Sequence, residues 1–173
     1  RVAAVVPELG LDLTPFDYSP ITGIHLWFDR PVTQLSHAVL LDRTIQWMFN
    51  KEGGRYLQLV VSASRSLLEM SRSQVIELAV RELGEFLPAV RGANLEKAHV
   101  IKEVRATFSA RTGIEDLRPP SATSLRNLFL AGDWTRSGWP ATMEGAVRSG
   151  YQAAEEITRA DGHPRSFLLP DIA

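Results

Sequence analysis

Residues 127–157, NLFLAGDWTRSGWPATMEGAVRSGYQAAEEI, hold the reading on which the fold turns. Asn127 to Ala131 is a short apolar run of buried-strand type, and a polar stretch follows it. From Thr142 to about Arg159 the residues Met143, Val147, Gly150, Ala154 and Ile157 recur on one helical stripe, with Glu144–Arg148 and Glu155–Arg159 as i,i+4 pairs. The segment therefore reads as buried strand, polar loop, helix N-terminus. Such a junction attracts anions and polarised carbonyls, because first-turn N–H groups lack intrahelical acceptors and the helix dipole is positive there. Pro140 suits a helix start and Thr142 can cap the amides that follow it. Gly132 and Gly145 let another group come close to the backbone. Asp133 would repel a phosphate, so its natural partner is a hydroxyl or N–H donor. A ligand that combines sugar-like hydroxyls with an electron-poor ring satisfies both halves. The pattern alone also describes a plain turn at Gly132-Asp133 and a plain cap at Thr142.

Elsewhere in the chain, Arg72 to Leu87 is the clearest helix. Ile76, Ala79, Val80, Leu83, Phe86 and Leu87 recur on one face, Glu77 and Arg81 pair on the other, and Pro88 ends it. Ser71 and Gln74 fit a capping box, with Met70 and Val75 as its staple. Upstream, Ile24–Phe28, His37–Leu41, Thr44–Phe49 and Tyr56–Val61 read as short strands, with a glycine turn at Glu52–Arg55. An antiparallel meander is the natural arrangement of that stretch. His99 to Val104 is a further strand, Leu9 to Pro20 a lead-in loop, Glu115 to Ser124 a proline-containing loop, and 161–173 a tail without period.

Composition narrows the function classes. The 173 residues carry a net charge of −1 and no Lys/Arg cluster, so phosphate neutralisation cannot drive nucleic-acid binding. Zero cysteines exclude disulfides, thiolate catalysis and Cys-ligated metals, and His25, His37, His99 and His163 show no metal-ligand spacing. No metal is expected. The densest apolar stretch, Ala38 to Phe49, is broken by Asp42, Arg43 and Gln46, far short of the ~20 apolar residues of a membrane span. A cytoplasmic protein, at most peripheral at a membrane, is the expectation.

AGDWTRSGWPATMEGAVRSGYQAA closely resembles the C-terminal FAD-binding signature of the flavin amine oxidase and phytoene desaturase superfamily. Within it, the bacterial squalene-associated FAD-dependent desaturases, also called hydroxysqualene dehydroxylases, are the most similar. The resemblance continues through VIKEVRATFS, the Arg118-Pro119 loop and NLFLAGDW, and less specifically through ITGIHLWFDRPV. It implies FAD as cofactor and a hydrophobic isoprenoid as substrate, with reductive removal of the hydroxyl of hydroxysqualene for hopanoid synthesis as the reaction. Carotenoid-type desaturation or amine oxidation is the alternative within the class, and a non-catalytic binding module the alternative outside it.

The resemblance assigns cofactor-binding roles to Gly132, Asp133, Trp139, Pro140, Thr142, Met143 and Glu144. Asp133 would accept from the ribityl and pyrophosphate region, the amides near Met143 and Glu144 would face the pyrimidine edge of the ring, and Trp139 and Pro140 would wall it. No catalytic residue is assigned. The implied fold is α+β: a mainly antiparallel sheet with packed helices, plus the C-terminal strand-helix piece of a Rossmann-like FAD domain. On that reading 1–124 is a partial substrate-binding domain, 125–160 the cofactor-domain element and 161–173 the tail. These enzymes open with a GxGxxG turn that holds the ADP half of FAD, and this sequence contains none. The chain is therefore expected to be the C-terminal portion of a larger enzyme, to lack FAD when alone, and to self-associate through uncovered apolar surface.

Glu155 and Glu156 are adjacent on a helix and read as a solvated face. Ser62, Ser64 and Ser66 lack a nucleophile elbow. Arg105, Arg111 and Arg118 read as solvated loop arginines, and His25 is a candidate for facing a substrate cavity.

Overall fold

A computed structural model describes residues 2–170. Five strands, β1 (Tyr18–Phe28), β2 (His37–Val39), β3 (Trp47–Asn50), β4 (Tyr56–Ser62) and β5 (Leu95–Phe108), form one sheet in the order β2-β3-β4-β1-β5. The helices are α1 (Val2–Val5), α2 (Arg65–Leu68), α3 (Arg72–Phe86), α4 (Ile114–Leu117) and α5 (Met143–Ala160). The chain divides into two compact units, Tyr18–Thr107 and a second made of Arg1–Asp17 with Phe108–Ala173. The α+β class expected from the sequence is the class observed.

In the 18–107 unit, β1 alternates strictly, with Thr22, Ile24, Leu26 and Phe28 buried and the residues between them half-buried. Leu57, Leu59 and Val61 of β4 share the buried face, and Val75, Ala79 and Leu83 of α3 complete the core with them. The capping box forms as expected: Ser71 Oγ accepts from Gln74 N and Gln74 Oε1 from Ser71 N. The buried stripe of α3 is rotated slightly from the expected one. Val75 and Glu82 join it, whereas Phe86 turns outward beneath the Arg43 guanidinium, 5.4 Å from its ring centroid. Glu82 is buried because its carboxylate accepts from the amides of Thr44 and Ile45, at 3.2 and 2.8 Å. It thus satisfies the backbone just before β3.

The strand order corrects the simple meander. β2, β3 and β4 run antiparallel in succession, but β1 lies beyond β4, in the register Ile21↔Ser62 to Trp27↔Tyr56. The connection from β1 to β2 therefore crosses the end of β3 and β4. It is pinned there by Val32 N to Gly54 O at 2.9 Å and Asn50 N to Ser36 O at 2.9 Å. β1 also starts at Tyr18, inside the stretch read as a loop, because Pro20 O has the amide of Ser64 as partner. Such pairings join residues distant in sequence and leave no local signal.

In the second unit, the expected strand over 127–131 does not form. Its one ladder contact is an isolated bridge, Ala122 to Phe129, supported by Leu130 N donating to Ser121 O at 2.8 Å. A buried strand needs paired neighbours on both edges, and the described residues of this unit supply a single bridge.

Candidate functional site

The junction read from the sequence is present as loop 132–142 followed by α5. Thr142 caps the helix, its Oγ1 accepting from Gly145 N at 3.1 Å. Three small residues on successive turns, Gly145, Ser149 and Ala153, form the buried face of α5. Gly145 is required by a close approach, since a Cβ there would lie 2.3 Å from the carbonyl oxygen of Pro140. Ser149 Oγ accepts from Gly132 N at 2.8 Å and donates to Ala146 O, which ties the glycine to the helix. Gly132 has φ of +133°, a region closed to most side chains. Its carbonyl takes two donors from Thr135, the amide at 3.1 Å and Oγ1 at 2.8 Å, and Thr135 is fully buried.

Arg118 holds the loop together and is not the solvated arginine the sequence suggested. Only 2% exposed, it donates to Asp133 O and Trp139 O, both at 2.9 Å, and to Ser137 Oγ at 3.2 Å, and it pairs with Glu115. One guanidinium therefore clamps both ends of 133–139, a task for which its fixed fork of donors is suited. The adjacent Pro119 and Pro120 are the local signal that this arginine lies in a constrained turn. Of the other two, Arg111 donates to Pro15 O and Arg105 lies over the Tyr18 ring at 5.1 Å.

The seven sequence-derived site residues all lie in this loop and the first turn of α5. The half-buried carboxylate of Asp133 accepts no hydrogen bond from the described residues, and the amides of Met143 and Glu144 find no acceptor among them. An acceptor and two donors are thus left open at one junction, matching a ligand with hydroxyls and a polar ring edge. Trp139 is less available: the Arg148 guanidinium stacks on it at 4.5 Å, and Glu144 pairs with Arg148 at 3.6 Å. Trp139 borders an open cleft of about 510 Å³ with Val147, Tyr151 and the tail residues Leu168, Leu169 and Pro170.

The apolar stripe of α5 faces outward in this chain, with Met143 90%, Val147 54% and Ile157 50% exposed. Glu155 does not pair with Arg159 as expected; Glu156 does. The Glu155 carboxylate instead accepts from the amides of Leu168 and Phe167 and the hydroxyl of Ser166, donors that hold its pKa below the ordinary carboxylate range. The tail is thereby fastened along the helix. Among the described residues no helix is long and apolar enough to cross a membrane, and no His/Asp/Glu group is arranged to hold a metal ion.

The family described as flavin containing amine oxidoreductase matches residues 9–158. The chain belongs to that family. A hydroxysqualene dehydroxylase of Sinorhizobium fredii is 35% identical over 159 residues, covering 89% of this chain and 37% of the relative. A 15-cis-phytoene desaturase of Solanum lycopersicum is 29% identical over 81% of this chain and 27% of the relative. The chain thus spans about a third of the length of these relatives. Among solved structures, a provisional protoporphyrinogen oxidase of Exiguobacterium superposes over 92% of this chain and 39% of its own, with a TM-score of 0.59 at 12% identity. That likeness shows a shared fold.

Proposed function

We propose that this chain forms the ring-side half of an FAD site in an oxidoreductase that removes the hydroxyl of hydroxysqualene, giving squalene for hopanoid synthesis. The observation that carries the cofactor assignment is the pairing of an unpartnered Asp133 carboxylate with the unpartnered first-turn amides of α5. The substrate assignment draws on the hydroxysqualene dehydroxylase at 35% identity, against 29% for the phytoene desaturase, which is the second reading. In this proposal residues 125–160 belong to the cofactor domain and 1–124 carry part of the substrate domain. Bound at this junction, the cofactor supplies hydride chemistry. Asp133 receives hydroxyl or N–H donors of the cofactor, Gly132 lets them approach, and the amides of Met143 and Glu144 stabilise negative charge at its ring edge. Arg118 and Thr135 hold these groups in place.

The test is flavin content of the whole enzyme. Asp133→Ala should lose a charge-assisted hydrogen bond worth ~1.5–3 kcal/mol, weakening retention about tenfold to a hundredfold. Glu156→Ala, which removes an exposed ion pair with Arg159, should leave flavin content unchanged. Equal flavin in the two purified variants would refute the assignment.

A further inference from the structure

The face of the sheet turned away from α3 carries a polar pair set among aromatic rings. By register, Gly23, His25 and Trp27 of β1 stand opposite Val60, Gln58 and Tyr56 of β4, and all six are half-buried. Tyr56 Oη lies 2.7 Å from His25 Nδ1, and the Tyr56 ring stacks on Trp27 with centroids 4.3 Å apart. From β5, His99 stands 6.3 Å from the His25 ring and Lys97 Nζ sits 4.6 Å over Trp27.

Gly23 is the unexplained residue of this face. Its φ lies outside the left-handed region, and a Cβ built on it meets nothing nearer than His25 Nε2, at 3.6 Å. Neither backbone conformation nor crowding calls for glycine, although glycine inside a strand costs stability and marks places where a ligand comes close. What it does is leave the Nε2 edge of His25 uncovered.

Partial burial, with His99 close by, lowers the His25 pKa, so the ring is neutral near pH 7. A neutral imidazole bonded to a phenol has two arrangements. With Tyr56 donating to Nδ1, Nε2–H is the free donor and Tyr56 Oη keeps a free lone pair. With Nδ1–H donating to Tyr56, the Tyr56 hydroxyl is the free donor and Nε2 the acceptor. Either way the pair offers one donor and one acceptor, which is the complement of an alcohol. Lys97, the cation of the cluster, is already held over Trp27.

We propose that His25 and Tyr56, beside the notch left by Gly23, form a subsite that hydrogen-bonds the hydroxyl of a long apolar alcohol whose hydrocarbon chain lies on the aromatic face. The subsite rests on the apolar-alcohol reading of the substrate and not on the flavin site. It makes His25 and Tyr56 specificity-determining residues, selecting the hydroxylated substrate over its hydrocarbon product.

Farnesol, farnesyl methyl ether and farnesene, titrated into the purified 173-residue chain, test it, with tryptophan fluorescence and the His25 imidazole NMR shifts as readouts. Farnesol should bind saturably, move the His25 signals, and bind roughly three- to tenfold more tightly than the ether, which cannot donate. Replacing both His25 and Tyr56 by phenylalanine keeps two rings but removes both polar partners, and should bring the farnesol-to-ether ratio to about one with farnesene binding retained. Gly23→Ala, whose Cβ fits at ordinary contact distance, should weaken farnesol binding, and Gly23→Val should abolish it in a chain whose circular dichroism is unaltered. Failure of farnesol to bind the folded chain, or an unchanged farnesol-to-ether ratio in the double phenylalanine variant, overturns the proposal. Neither result bears on flavin retention, and loss of the Asp133 effect would leave these titrations standing.

Discussion

Replacing Arg118 by alanine should unfasten the loop that carries Asp133 and Trp139. The guanidinium donates to Asp133 O and Trp139 O at 2.9 Å, and the residue is 2% exposed, so water does not take over these bonds. Bonds from a charged donor contribute ~1.5–3 kcal/mol each. Trp139 O retains a longer bond from Ser137 Oγ at 3.4 Å, which puts its loss at the low end. The ion pair with Glu115 adds under ~1 kcal/mol, since that carboxylate is half exposed. Against these losses, the buried Nε–H of Arg118 has no acceptor among the described residues, and its removal returns ~1 kcal/mol. The net cost is ~2–4 kcal/mol, a large part of the 5–15 kcal/mol that typically holds a domain. Amide hydrogen exchange of Thr135, Ser137 and Trp139 reads it directly, with protection expected to fall ~30- to 1,000-fold. Arg118→Lys keeps the charge but not the fork and should recover part of the loss. Arg105→Ala, on the other unit, should change none of these amides. Unchanged protection in Arg118→Ala would refute the clamp.

Two glycines of α5 should respond to alanine with opposite signs. A Cβ at Gly150 meets none of the described residues and should add ~0.5–1 kcal/mol in the 173-residue chain, whereas a Cβ at Gly145 would collide with Pro140 O and should lower stability. Thermal melts of the two variants decide it, and stabilisation at both positions would show that α5 does not pack on Pro140. Glu155 contributes to tail docking while ionised; because its folded pKa is lowered, that contribution is complete above the ordinary Glu value of ~4.3 and is lost as pH falls through the lower folded value. The Phe167 and Leu168 amide shifts should follow that acid transition and become pH-independent in Glu155→Gln. Finally, the exposed Met143, Val147 and Ile157 should drive self-association of the 173-residue chain. Light scattering should show Val147→Lys shifted toward monomer, and a wild-type chain that stays monomeric at high concentration would remove the argument.

Local chemistry made much of this protein legible in its sequence. The capping box of α3, the Thr142 cap, the glycine turn before β4 and the loop-to-helix junction at 132–144 all depend on residues within a few positions of one another, so spacing reveals them. The helical stripe over 143–157 was equally legible, but which face of α5 packs was not: the small residues Gly145, Ser149 and Ala153 touch the loop, and the larger apolar ones point outward. Tertiary structure alone decided the rest. β1 beyond β4, the buried Glu82 beneath β3, the two-ended clamp of Arg118 and the His25–Tyr56 pair each join groups separated by 15 or more residues in the chain. Periodicity reports how a segment alternates between solvent and core, and it is silent on which distant partner satisfies a buried polar group. That choice is made only when the backbone closes and every buried donor and acceptor must be matched at once.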